Sequence, residues 1–187
     1  MADRPVGCTV SLRLATLEDA PMFEAWSRQP HVIAATTDDP NSDKAFDGAV
    51  WSDELASQSE VSQYFVAELD GEAIGALQIC DPHLEPTQYW GPIEPGLRAI
   101  DIWIGAPSAL GRGYGEQMMR LALRHCFEDE SVTAIVIDPL ASNHRAIRFY
   151  ERLGFERLER RKFGEDECVI LRLTRAASSA RHVPATS

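Results

Sequence analysis

Residues 98–125 read RAIDIWIGAPSALGRGYGEQMMRLALRH, and no other stretch constrains the chain as much. Ala99 to Ile104 is a short run of β-branched and aromatic residues, as expected of a strand, with one acid, Asp101, inside it. Gly111, Gly113 and Gly115 follow at alternate positions, with Arg112 between the first two. From Glu116 the pattern turns helical: Met118, Met119, Leu121, Ala122 and Cys126 recur at i, i+3, i+4 spacing. A strand, a glycine turn and a helix in that order aim several backbone N–H groups and the positive end of a helix dipole at one place. Such a place favours phosphate or pyrophosphate. A plain tight turn that needs positive φ uses the same glycines, and this stretch alone leaves both readings open. It is neither G-x-x-x-x-G-K-[ST] nor the dinucleotide pattern G-x-G-x-x-G.

A chain of 187 residues with 44% hydrophobic content is long enough for one domain with a sizeable core. It has no run of about 20 apolar residues, so no membrane span is expected. MADRPVGCTVSLRL at the start lacks an apolar signal segment, which points to a cytoplasmic protein. Cys8, Cys80, Cys126 and Cys168 are widely spaced and form no CxxC pair, so they read as small buried apolar groups. The histidines do not sit at ligand spacing with them, and no metal is expected. The formal net charge of −11 argues against nucleic acid or an anionic membrane as partner. It is compatible with a cationic substrate, although on charge alone simple solubility is the favoured reading.

In chain order, Ser11 to Leu14 reads as a strand, and Thr16 as the cap of a helix that ends near Gln29, before Pro30. Residues 31–53 read as irregular, with TTDDPNSDK as a loop; its acids, among them Asp38 and Asp39, are either solvated or line a cleft. A second helix is expected over Trp51 to Ser59. Gln63 to Leu69 and Ala73 to Ile79 alternate as strands around an Asp70-Gly71 hairpin turn. Asp81 to Pro95 is a proline-containing loop whose Tyr89 and Trp90 either wall a site or pin the loop to the core. Ser131 to Asp138 is an apolar strand, and SNHRAIRFYERLGFE a helix capped by Ser142 or Asn143 and closed by Gly154. Phe155 to Arg161 and Cys168 to Leu173 make a final strand pair. Residues 1–175 therefore form a single domain, with 176–187 expected as a frayed tail.

With N-x-x-A-x-x-x-Y-x-x-x-G-F at Asn143, Ala146, Tyr150, Gly154 and Phe155, placed after the glycine turn, the chain resembles the GCN5-related N-acetyltransferases, the GNAT superfamily. The likeness runs from about Ser11 to Leu173. R-L-A-T-L-E-D, E-P-G-L-R-A-I-D and D-P-x-x-S-N-x-R-A-I-R-x-Y-E-x-x-G-F-E resemble more narrowly the aminoglycoside 6′-N-acetyltransferases. The N-hydroxylysine acetyltransferases of siderophore synthesis share part of this layout. Two departures stand out. Leu110 replaces the usual Gln or Arg of Q/R-x-x-G-x-G/A, and AATTDDPN replaces an expected tryptophan- and glycine-rich segment.

The resemblance implies an α/β GNAT fold, a mixed central sheet flanked by helices, with a splayed strand pair that binds acetyl-CoA. It implies that the pyrophosphate sits on the backbone of Gly111, Arg112, Gly113, Tyr114, Gly115 and Glu116, and that the pantetheine arm pairs with Ile102, Trp103 and Ile104. Asn143 would contact the coenzyme, or only cap its helix. Asp101 matches the family's base or substrate-orienting carboxylate, or else a strand acid in an ion pair. Tyr150 matches the general acid for the coenzyme thiolate, and also a core aromatic. Asp138 and Trp90 match substrate positions for a compact polycation, Glu165 lies near a similar acidic position, and Asp38 and Asp39, in the departing segment, are substrate-binding candidates by their charge. The implied reaction is direct attack by the amine in a ternary complex, with no role for Cys126 as nucleophile and no metal. The protein would be a monomer or homodimer. Other outcomes in view are an acetyltransferase of another small amine (a hydroxylysine siderophore precursor or a polyamine) and a non-catalytic acyl-CoA sensor.

Overall fold

The computed structural model describes residues 9–180; residues 1–8, Cys8 among them, and 181–187 lie outside the described set. A seven-stranded sheet forms the centre, in the order β1-β2-β3-β4-β5-β7-β6. Its strands are β1 (Val10–Leu14), β2 (Ser62–Leu69), β3 (Glu72–Cys80), β4 (Leu97–Ile104), β5 (Ala134–Ile137), β6 (Glu156–Phe163) and β7 (Asp166–Thr174). All neighbours pair antiparallel except β4 and β5. A parallel pair needs a crossover. The helix α4 (Tyr114–Glu128) supplies it, and the glycine turn lies at its start.

The β4–β5 pairing is short. It covers Leu97–Ala134, Arg98–Ile135 and Ala99–Val136, while β4 continues to Ile104. Beyond Ala99 the strands part, and β4 keeps only β3 as partner, through Ile104–Gly75. This is the splay that the resemblance implies.

Period-two alternation divides β4 between two faces. Ile100 and Ile102 face the side covered by α4 and by α5 (His144–Leu153). There Met119, Ala122, Ile147, Tyr150 and Leu153 pack on Leu77, Ile135, Ile137 and Leu171. Leu97, Ala99 and Trp103 face the other side. Trp103 is covered by α1 (Ala20–Ser27), α2 (Pro30–Thr36) and α3 (Trp51–Ala56) through Phe23, Trp26, Val32 and Trp51. Leu97 and Ala99 are covered by Trp90 of the 81–96 loop. Asp101 falls between these two covers and is exposed.

Local signals explain the element ends. Asp70 and Gly71 both take positive φ (52° and 87°), the geometry of a two-residue hairpin. Asn143 caps α5 by accepting from the Ala146 N–H at 3.0 Å, and Gly154 ends it at φ 103°. The edge strand β6 is exposed and charged, which blunts edge-to-edge pairing.

Several expectations are corrected. Residues 31–53 are not wholly irregular, because Pro30 begins α2 rather than merely ending the helix before it; its fixed φ suits a first helical turn. Thr16 opens a single turn, Leu17–Asp19, ahead of α1. α3 stops at Ala56, short of Ser59. β5 is shorter than 131–138, and α4 begins at Tyr114, two residues before the expected Glu116. Of the expected tail, the part up to Ala180 continues from β7 as α6 (Arg175–Ala180), and the rest lies outside the described residues. The Arg175 guanidinium donates to the carbonyls of Val132 (2.8 Å) and Phe127 (2.9 Å), anchoring that helix to the end of α4. Among the described residues no helix is long and apolar enough to cross a membrane.

Candidate active site

The floor of the site follows from strand register. Ala99 faces Val136 in the last β4–β5 pair. Two residues further on, on the same face of each strand by alternation, lie Asp101 and Asp138. They occupy matching positions on either side of the splay. Burial raises the Asp101 carboxyl to about 6. Burial, and then the Asp101 charge, raise Asp138 to about 8. Asp101 is exposed as a residue, yet the surrounding protein still desolvates its carboxylate, as at the bottom of a recess.

Other groups converge on this pair. The Tyr89 hydroxyl donates to Asp138 Oδ2 at 2.7 Å, and its ring stacks on Phe163 at 4.3 Å. The Tyr150 phenol, on the buried face of α5, is held above the usual phenol range by burial and then by the charges of Asp101 and Asp138. The Cys168 thiol is pushed up to about 12 by burial and then by the charges of Asp138, Asp166, Asp38 and Asp101, so the charges of four carboxylates reach it. The 37–43 loop is tied over this region. The Asp38 N–H donates to Asp166 Oδ1 at 2.8 Å, and the Ser142 hydroxyl donates to Asp38 Oδ1 at 2.7 Å.

The coenzyme side has the features a pyrophosphate needs. Gly111 and Gly113 take φ of 72° and 83°, and Gly113 stands at the N-cap of α4, where no side chain caps the helix. A Cβ built on Gly111, Gly113 or Gly115 meets nothing within 4 Å, so the backbone of the turn is open to close approach. Orphan N–H groups at the end of a 15-residue helix then face that opening.

Along β4, Gly105 N–H donates to Ile74 at 3.0 Å in register with β3, so the backbone groups of residues 101, 103 and 105 face β3. Those of Ile102 and Ile104 face the gap. Ile104 is already engaged there, because His31 Nε2 bonds its carbonyl at 2.9 Å. Trp103 is corrected on this ground: its backbone faces β3 and its ring is buried among Phe23, Phe46 and Trp51, so it offers the arm no edge.

The remaining residues separate clearly. Trp90 is 5% exposed and pins its loop to the core, and its carbonyl accepts from Arg161 at 2.9 Å. Its ring supports the wall without forming it. Glu165 points outward to Lys162 at 3.0 Å, and its neighbour Asp166 faces the cleft instead. Asp39 is spent on its own turn, accepting from the Asn41 N–H at 2.9 Å. Arg112, Tyr114 and Glu116 stand in the glycine turn and first helical turn, with Glu116 paired to Arg120 at 2.8 Å. The structure also brings Tyr89, Asp166 and Ser142 to this region; the sequence left Tyr89 as either a wall or a core anchor and did not single out the other two as site residues. Asp166 was findable from its alternation with Cys168 and Ile170, whereas Tyr89 and Ser142 depend on how loops close.

The acetyltransferase (GNAT) domain family matches residues 15–163. The chain is 34% identical over 151 residues to the aminoglycoside N(6′)-acetyltransferase type 1 of Klebsiella pneumoniae, covering 80% of this chain and 75% of that one. It superposes on aminoglycoside acetyltransferase AAC(6′)-Ib in complex with ribostamycin and coenzyme A with a TM-score of 0.82. There the identity is 31%, over 95% of this chain and 99% of that one. The same enzyme with coenzyme A and kanamycin gives a TM-score of 0.79 at 30% identity, over 94% and 100%. Sequence and fold thus agree with the splayed sheet and the open glycine turn, and the chain belongs to the GNAT acetyltransferases, in the aminoglycoside 6′-N-acetyltransferase family.

Proposed function

We propose that this protein moves an acetyl group from acetyl-CoA to the 6′-amine of an aminoglycoside antibiotic, conferring resistance to the drug. The observation that carries this reading is the pair of carboxylates, Asp101 and Asp138, in matching positions across the splay, together with an open pyrophosphate cradle at the start of α4. A compact polycation matches the charge of that pair. Relatives solved with coenzyme A and with kanamycin or ribostamycin support the same pairing of ligands.

Acetyl-CoA, when bound, supplies an acetyl group activated as a thioester. Its pyrophosphate would lie on the backbone of Gly111 to Glu116, and its arm along the Ile102 edge of β4. The amide nitrogen of Asn143 is left to donate, since its oxygen already caps α5. The remaining chemistry is proton traffic. An ammonium has no lone pair, so the amine must first be neutralised. Asp101, raised to about 6, accepts that proton near neutral pH, directly or through one water. A bound ammonium favours the ionised form of Asp138, which then holds the amine-bearing ring, and Asp38 and Asp166 extend that charge toward the other amines. Tyr150 keeps its proton at neutral pH and so has one to give to a departing thiolate. Cys126 and Cys168 are each pushed up to about 12, so both stay protonated and are poor nucleophiles. Direct attack by the amine, without an acyl-enzyme, follows. Acetylation cancels one of the charges with which the drug holds its RNA target.

The test is to incubate the protein with acetyl-CoA and kanamycin and to locate the acetyl group by NMR. A single acetyl at the 6′-nitrogen is expected. Acetylation at another position, or none on any aminoglycoside, would refute the reading.

A further inference from the structure

Tyr89 contributes neither to the coenzyme cradle nor to the proton transfers above, yet the 81–96 loop is built to fix it. The Glu85 carboxylate accepts from the N–H and hydroxyl of Thr87, at 2.9 and 2.6 Å, and from the N–H of Tyr89. Gln88 and Gly91 take positive φ (53° and 64°) on either side of the Tyr89–Trp90 pair. Arg161 holds the Trp90 carbonyl, and the Tyr89 ring lies flat on Phe163 with 7° between the planes. A residue held from backbone and ring alike has one direction left for its hydroxyl, and that direction meets Asp138 Oδ2 at 2.7 Å. Even so, Tyr89 is 49% exposed, so it borders the cleft.

We propose that Tyr89 is a positioning residue: it occupies Oδ2 of Asp138, fixes the plane of that carboxylate, and leaves Oδ1 as the single oxygen that receives the substrate's ammonium. This rests on the aminoglycoside reading above and goes beyond it in assigning how the cleft orients the amine. A free carboxylate on a loop end offers two equivalent oxygens and rotates. One whose second oxygen is committed offers a single direction, and the amine that meets it is presented to Asp101 in one pose. The charged and titratable groups facing Asp138 are few. Asp101 comes from β4, Arg161 from β6, and Tyr89 from the loop, while Tyr150 on α5, Cys168 on β7 and Cys80 on β3 sense its charge. Of these, Tyr89 is the group that donates a side-chain hydrogen bond to it. Such a bond favours the ionised carboxylate, so losing it makes Asp138 harder to ionise.

The experiment compares Tyr89→Phe, which keeps the ring stack, with Tyr89→Ala, which removes it. Steady-state kinetics are measured for both substrates across pH, alongside thermal melting. In Tyr89→Phe the KM for kanamycin should rise about tenfold, the loss of one hydrogen bond to a charged group. The KM for acetyl-CoA should hold, and the acid limb of kcat/KM for kanamycin should move to higher pH. Tyr89→Ala should show the same shift of the limb together with a lower Tm. A Tyr89→Phe enzyme matching wild type in KM and pH profile, with only Tyr89→Ala impaired, would overturn the proposal and leave ring packing as the role of Tyr89. So would an equal rise in both KM values. If the wild-type protein acetylates a different amine and no aminoglycoside, the functional reading fails on its own. The same comparison with that amine then decides the role of Tyr89.

Discussion

Asp101 and Asp138 stand in register across a gap. Each lies two residues beyond the last paired residues of β4 and β5, Ala99 and Val136, and on the same sheet face. Had the two parallel strands stayed together, the carboxylates would be neighbours in a ladder. The splay separates them and opens room between, which on the proposed reading is where the amine sits. Burial raises Asp101, burial and then the Asp101 charge raise Asp138, and both hold protons well above the ordinary carboxylate range.

Removing the proton acceptor should separate chemistry from binding. Asp101→Asn keeps size and hydrogen bonding but loses the basic oxygen. Turnover should fall by about 10²- to 10⁴-fold, while the Kd for acetyl-CoA, read by calorimetry, stays as in wild type. Equal losses in both would make Asp101 a structural residue.

The same pair sets a pH dependence of stability. A carboxyl whose folded pKa is raised binds more protons folded than unfolded, between its unfolded value of 3.8 and its folded value. Its contribution is therefore full below that window and is lost as pH rises through about 6 for Asp101 and about 8 for Asp138. The Tm of the free protein should drop across this range. The double variant Asp101→Asn/Asp138→Asn should flatten the drop, and saturating kanamycin should reverse it in wild type. A slope unchanged in the double variant would place its origin elsewhere.

Asp19 works with the opposite sign. Its carboxylate receives two bonds from Arg13, both 2.7 Å, and the Thr16 N–H at 2.8 Å, clamping β1 to the start of α1. Arg13 holds the Asp19 pKa below its ordinary value. That contribution is present above the unfolded carboxylate pKa and lost as pH falls through the lower folded one. Asp19→Ala should cost about 2 kcal/mol in urea unfolding at neutral pH. A cost within experimental error would mean the clamp is redundant.

Gly115 tests the cradle without straining the chain. It lies inside α4 at an ordinary helical φ, with open space where a methyl would go. Gly115→Ala should raise helix stability by up to about 1 kcal/mol and yet weaken acetyl-CoA binding, because the methyl enters the approach path of the pyrophosphate. A more stable variant with unchanged coenzyme affinity would move the phosphate away from this turn.

The parts of the fold that were legible in the sequence are those written in local periodicity. The strand, glycine turn and helix around Gly113, the Asp70-Gly71 hairpin and the capped helix at Asn143 all depend on neighbours within a few residues. Pro30 was misleading because one residue type both ends a helix and begins the next. In the site, Asp101 and Asp138 were legible, each as an acid in or just beyond an apolar strand. Their matched register was not, since it depends on where two strands distant in sequence stop pairing. Tyr89 was readable only as one of two alternatives, and Asp166 was readable from its strand's alternation but was passed over for the adjacent Glu165. The first owes its place to a loop folded around Glu85. The second owes its place to hairpin alternation, which turns Asp166 inward and the adjacent Glu165 outward.

The most direct measurement is release of coenzyme thiol from acetyl-CoA by wild type and Asp101→Asn, with kanamycin, an aminoglycoside bearing a 6′-hydroxyl, lysine, hydroxylysine and spermidine as acceptors. An aminoglycoside acetyltransferase working through Asp101 should release thiol rapidly with kanamycin alone, and the Asp101→Asn variant should lose that release. Rapid release with hydroxylysine or spermidine and none with kanamycin, or full activity in Asp101→Asn, would contradict it.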